Sequence, residues 1–164
     1  MTDREAGTAA DPLALVHAAA SAFPLRLATL QDPEGLAATR ATLASLLSAD
    51  FEYRLDPQAR ELGLGSDLRG ADAMLEVWGK WLEIFESYEL LDTRRVLIDS
   101  GRVFEISRSR GRFPSGIELE QEVGAIYGVS DGRITSLQTF ASLELALAEA
   151  GLDSDDLPPG LGAR

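Results

Sequence analysis

Ser115 to Leu152 reads SGIELEQEVGAIYGVSDGRITSLQTFASLELALAEAGL, and this stretch decides the fold. It predicts a long strand, a tight turn at Asp131-Gly132, a second long strand and a closing helix over Ser142 to Ala150. Asp-Gly between alternating apolar residues is the strongest short-range hairpin signal, because a type I′ turn needs the positive φ that glycine adopts without strain. Before the turn, Ile117, Leu119, Gln121, Val123, Ala125, Tyr127 and Val129 share one parity and are assigned to the core face. Glu118, Glu120, Glu122, Gly124, Ile126 and Gly128 share the other and are assigned largely to solvent. After the turn the alternation weakens, with Ile134 and Phe140 on one parity and Leu137 on the other. A strand with something to bury on both faces suggests a sheet that also meets a partner subunit. Gly151 then serves as the helix C-cap.

Upstream, Asp11-Pro12 is a helix start, an N-cap followed by proline at the first helical position. Leu13, Val16, Ala20 and Phe23 give its apolar stripe, and His17, the one histidine, falls off it as a solvated residue. Asp32-Pro33 repeats the signal, with Leu36, Leu43, Leu46 and Leu47 marking a second amphipathic helix. The segment between, Leu25 to Gln31, reads as more helix or as a covering loop. Phe51, Tyr53 and Leu55 alternate with charges in a short strand stopped by Pro57. Residues 57 to 70 read as a long loop of the kind that often forms a lid. From Ala71 a helix carries Met74, Val77, Trp78, Trp81, Leu82 and Phe85. Tyr88 to Asp99 and Arg102 to Phe113 are two further strands, joined at Ser100-Gly101, and Pro114-Ser115-Gly116 turns into the central hairpin. Residues 1–10 and the acidic tail 153–164 are expected to be disordered, leaving one domain over 11–152.

A chain of 164 residues with 45% hydrophobic and 26% charged residues fits one globular core. A net charge of −12 argues against a nucleic-acid or anionic-membrane partner. Without cysteine there is no disulfide, thiol nucleophile or thiolate metal site. No apolar run approaches a membrane span, and the first residues lack the basic and apolar parts of a signal peptide, so a cytoplasmic location is expected. No His/carboxylate cluster suggests a metal and no glycine-rich strand-to-helix loop suggests a nucleotide, so no cofactor is expected.

Helices gathered before a run of strands indicate an α+β domain with helices on one face of an antiparallel sheet. A strongly curved sheet wrapped around a long helix makes a cone with an apolar interior. The order, the R-G-A-D-A helix entry at 69 to 73 with its W-x-x-W, the SGIELEQEVGAIYGVSDGRI hairpin and the ending ALAEAGL together resemble the SnoaL-like branch of the nuclear transport factor 2-like superfamily, over Leu13 to Leu152. That resemblance implies a cone-shaped pocket and a homodimer through the sheet. Its members include polyketide cyclases, steroid isomerases, dehydratases and non-catalytic proteins, so no single mechanism follows. The stretch from Pro24 to Pro33 is longer than such proteins usually have there.

Enzymes of this fold place a carboxylate, sometimes with Tyr or Arg, in an apolar cavity, where burial raises its pKa and a neighbour tunes it back. Asp92 and Arg94 share the parity of Leu90 and Val96, and if that parity faces inward they enter the cone side by side. Arg108, with Phe104 and Ile106, joins them on the same condition. Trp78, Trp81 and Phe85 form the expected apolar wall, with Tyr53, Gln121 and Tyr127 as further polar groups; core packing of the two tryptophans is the plainer reading. Rim ion pairing is the plainer reading of Asp92 and Arg94. Asp56 is a second candidate carboxylate, or a turn cap beside Pro57. The expected occupant is a hydrophobic, oxygenated small molecule, either the substrate of a cofactor-free cyclase, isomerase or dehydratase, or the cargo of a carrier. A third reading is an interaction module whose cavity is filled by its own side chains.

Overall fold

The computed structural model describes residues 10–23, 26–61 and 68–157. Asp11 caps α1 (Pro12–Ala22), its carboxylate accepting the Leu13 N–H at 3.1 Å. The next segment, open between helix and loop from sequence, contains a short helix, α2 (Leu27–Gln31). Asp32 caps α3 (Pro33–Leu46) by accepting the Gly35 N–H at 2.8 Å. β1 (Leu47–Leu55) follows. The stretch read as one long loop holds a helical turn, α4 (Pro57–Glu61), and a two-residue strand, β2 (Leu68–Arg69). Of the stretch 57–70 expected to form a lid, residues 62–67 lie outside the described residues. α5 (Gly70–Leu82) leads to four strands, β3 (Ser87–Asp99), β4 (Arg102–Arg112), β5 (Glu118–Ser130) and β6 (Arg133–Phe140), and then to α6 (Leu143–Ala150).

The hairpin turn has the geometry its sequence asks for: Asp131 and Gly132 both have positive φ, 51° and 69°. Ser142 caps α6 through the Leu145 N–H, and Gly151 ends it in the left-handed conformation at φ 69°. The six strands lie in the order β2-β1-β6-β5-β4-β3. One pairing departs from the expected antiparallel sheet. β1 runs parallel to β6, which is possible because the chain crosses over through α5 and three strands before β6 forms. Register breaks put extra residues in β1, β3 and β6 and bend these strands.

Each face of the sheet has its own core. On the inner face, Val16 and Ala19 of α1, Leu43 of α3, and Met74 and Leu75 of α5 pack on Phe51, Tyr53, Val103, Ala125, Tyr127 and Leu137. On the outer face, Ala146 and Ala150 of α6 pack on Phe104, Ile106, Ile126 and Phe140. This accounts for the two-faced apolar pattern around the turn: the chain's own closing helix covers the second face there. Gly124 makes the close approach possible, since a Cβ at that position would lie 2.3 Å from the Ala146 Cβ. Ile126, expected to be largely exposed, is therefore buried. The start of the acidic tail is also built in. A capping box closes a 3-10 turn at Ser154–Asp156, and Leu157 packs into the outer core. Residues 158–164, like 1–9, are outside the described residues.

Candidate functional site

Register carries the inner face from β5 outward across the sheet. The inner parity of β5 pairs Tyr127 with Val103, Ala125 with Glu105, Val123 with Ser107, Gln121 with Ser109 and Leu119 with Gly111. β4 in turn pairs Val103 with Leu97, Glu105 with Arg95, Ser107 with Thr93, Ser109 with Leu90 and Gly111 with Tyr88. Directly opposed residues share a face. The inner surface of β3, β4 and β5 is therefore partly polar, with Arg95 and Glu105 at its deep end and hydroxyls above them.

Glu105 is the chemical centre of that surface. It is 9% exposed, and its Oε2 accepts from Arg95 Nε at 2.7 Å. The Tyr127 hydroxyl donates to Oε1 at 3.4 Å. Burial pushes the Glu105 carboxyl above its ordinary range, and the Arg95 charge and hydrogen bond and the Tyr127 hydrogen bond oppose that without cancelling it. Burial also drives the Tyr127 phenol well above its usual value, with the Glu105 charge adding to the shift. A second Arg95 N–H reaches His17 Nδ1 of α1 at 3.3 Å, and because arginine has no acceptor, the imidazole nitrogen is the acceptor. A carboxyl held this way keeps its proton more tightly than a free one, which suits it to general acid–base work.

An aromatic row leads along the same face. Phe23, Trp78, Trp81, Phe85 and Phe113 follow one another with ring centroids 4.9–5.4 Å apart, and Tyr88 lies 4.5 Å from Trp81. Gly111 admits Phe85, because a Cβ there would come within 2.5 Å of the ring. Thr93 and Ser107 bond each other at 3.0 Å, and the Ser109 hydroxyl donates to the Gln121 carbonyl at 3.4 Å. Ser107 and Ser109 are both buried. Tyr53 shares a hydrogen bond with Thr139 at 3.0 Å, and burial pushes its phenol up to about 12. The Trp78 indole N–H lies near enough to ease that shift, but not in hydrogen-bonding geometry, and it is buried without a partner.

The interior itself is closely filled. A void of about 10 Å³ lies among Ala19, Phe23, Leu43, Leu47, Phe51, Met74, Tyr127, Ile134 and Leu137, room for about one water molecule. The cone-shaped pocket implied by the sequence resemblance is not open at this place. The condition on which Asp92, Arg94 and Arg108 would enter the cone is not met. Asp92 pairs with Arg108 and Arg94 with Ile106, the outer parity of β4, and a register break between Leu90 and Asp92 puts Leu90 and Asp92 on opposite faces. Asp92 and Arg94 form a partly exposed ion pair at 3.4 Å, and Arg108 lies 3.7 Å from Glu120. Asp56 is 2% exposed and accepts the Ala141 N–H at 2.9 Å, tying the end of β1 to the start of α6. Tyr53, Trp78, Trp81, Phe85, Gln121 and Tyr127 do lie on the inner side. Glu105 and Arg95 were missed, although the β5 parity, which holds for Ala125 and Tyr127 but not for the exposed Ile117 and Leu119, carried across the Pro114–Gly116 turn would have pointed to Glu105. Among the described residues no group of His, Cys, Asp and Glu is arranged to hold a metal ion.

No family model and no curated protein matches the sequence. Solved structures do match the fold. TerC co-crystallised with polyporic acid is similar over 84% of this chain and 95% of its own, at 16% identity and a TM-score of 0.59. A nuclear transport factor 2-like protein of unknown function from Burkholderia pseudomallei is similar over 83% and 94%, at 12% identity and a TM-score of 0.60. A hypothetical protein with a ketosteroid isomerase-like fold from Catenulispora acidiphila, in complex with trimethylamine, is similar over 88% and 97%, at 19% identity and a TM-score of 0.53. Others, from Xanthomonas campestris and Jannaschia, carry polyketide cyclase as a suggested role, the latter as SnoaL-like.

Proposed function

Since the chain has the fold of nuclear transport factor 2-like proteins, among them SnoaL-like ones, we propose that it binds an apolar, oxygenated small molecule on the inner face of its sheet and moves a proton on it with Glu105. The reaction class is a cyclisation, isomerisation or dehydration without a cofactor. The observation that carries this reading is the buried Glu105 carboxyl, raised by burial and held by Arg95 and Tyr127. A packed core gains nothing from such a group: an ion pair removed from water costs several kcal/mol per ion, on the order of what it returns. Trp78, Trp81, Phe85, Tyr53 and Gln121 are the proposed contacts for the body of the ligand. The proposal includes a homodimer through the part of the outer face that α6 leaves uncovered, where Asp92, Arg94, Arg108, Arg110 and Glu120 lie.

A second reading rests on the 10 Å³ void: a module whose interior is filled by its own side chains. The two readings differ in a titration. Trp78 and Trp81 are the only tryptophans, and both belong to the aromatic row. With 2-naphthol as a flat, hydroxylated probe, the first reading expects saturable quenching of tryptophan emission that weakens at least tenfold in Glu105→Ala. Emission that stays unchanged up to millimolar probe supports the filled module and removes the first reading.

A further inference from the structure

A second opening lies on the other side of the sheet. Beside β1, β6 and α6 is an open cleft of about 290 Å³ lined by Arg54, Pro57, Arg60, Gln138, Phe140 and Glu149. That is close to the lower end of small-ligand sites, roughly 300–1,000 Å³. In a chain of net charge −12, two of its six lining residues are arginine. The two are differently committed. Arg54 is engaged by Glu52, whereas Arg60 spends its Nε on the Leu55 carbonyl at 3.1 Å and makes no ion pair among the described residues. The Leu55 bond holds the guanidinium in place and leaves its terminal amino groups uncommitted. Glu149, on α6, makes no ion pair among the described residues either. One cleft thus carries a cation and an anion that satisfy neither each other nor another described side chain. Pro57 is exposed and adds apolar surface, Phe140 reaches the cleft with only 4% of its surface open, and the Gln138 amide can both donate and accept.

We propose that this outer cleft is a binding site for a small zwitterion of the amino-acid type. Its carboxylate faces Arg60, its ammonium faces Glu149, and its apolar part lies against Phe140 and Pro57. Guanidinium is the side chain best matched to a carboxylate, through paired N–H donors, and that match fixes which end of the ligand goes where. With Arg54 neutralised by Glu52, the remaining charges of the cleft balance, as do those of the ligand. The site is independent of the inner face and does not rest on Glu105.

Isothermal titration of the full chain with L-phenylalanine, 3-phenylpropionate and phenethylamine separates the two ends of the ligand. The zwitterion is expected to bind at least tenfold more tightly than either the acid or the amine alone. Arg60→Ala and Glu149→Gln, both surface changes, are each expected to weaken L-phenylalanine about tenfold while leaving 2-naphthol quenching unchanged. Equal binding of the three probes, no heat with L-phenylalanine at millimolar concentration, or full L-phenylalanine affinity in both variants would overturn the proposal.

Discussion

Glu105 is a carboxyl whose folded and unfolded states want the proton to different degrees. Its folded pKa is raised above the ordinary 4.5, chiefly by burial. As pH rises past that value, the unfolded chain gives up this proton first and the folded chain later. The folded state therefore loses the residue's relative contribution across the window from 4.5 up to the raised folded value. In Glu105→Gln that loss is absent, so stability from urea midpoints taken upward from pH 4.5 falls less steeply with pH than in the parent. Equal slopes would mean that the carboxyl is not held in its raised state. The substitution also leaves Arg95 beside a neutral amide, so the comparison rests on slope and not on absolute stability. Glu105 escaped the sequence reading for a simple reason. Its own set, Val103, Glu105, Ser107 and Ser109, looks like a solvent face, while Phe104 and Ile106 look like core. Both faces of β4 are buried there, and composition alone cannot rank two buried faces.

Among the elements, the hairpin and α6 were the most legible because local chemistry decides them. Asp131-Gly132 accepts two positive φ angles, and Ser142 and Gly151 bracket α6 with one cap at each end. β3 was the least legible. Its side chains change face at the break between Leu90 and Asp92, and nothing in Leu90-Leu91-Asp92 announces a bulge. That one irregularity carried Asp92 and Arg94 out of the expected site. The role of α6 as the cover of the outer face was also invisible, since the two-faced pattern of β5 and β6 fits a partner subunit equally well. The Gly124–Ala146 contact tests that role. Gly124→Ala is expected to destabilise the chain by about 1–3 kcal/mol through overpacking. Ala146→Gly in the same chain is expected to recover part of that loss, with a coupling of roughly 0.5–3 kcal/mol in a double-mutant cycle. Strictly additive effects would show that α6 does not press on β5 at this point.

At the level of the molecule, one sheet is packed on both sides and still holds a buried ion pair with hydroxyls beside it on its inner face. The fold class could be read from element order, but the filling of the cone could not. Whether a bent sheet encloses a void depends on how Phe51, Met74, Tyr127 and Leu137 meet one another, and sequence spacing does not report that. Native mass spectrometry of the full chain, beside Glu105→Ala prepared in parallel, tests the central claim most directly. The account predicts a dimer of the parent chain carrying additional mass from a retained small molecule, and loss of that mass in the variant. A parent chain with no added mass, or one whose added mass persists undiminished in Glu105→Ala, would contradict it.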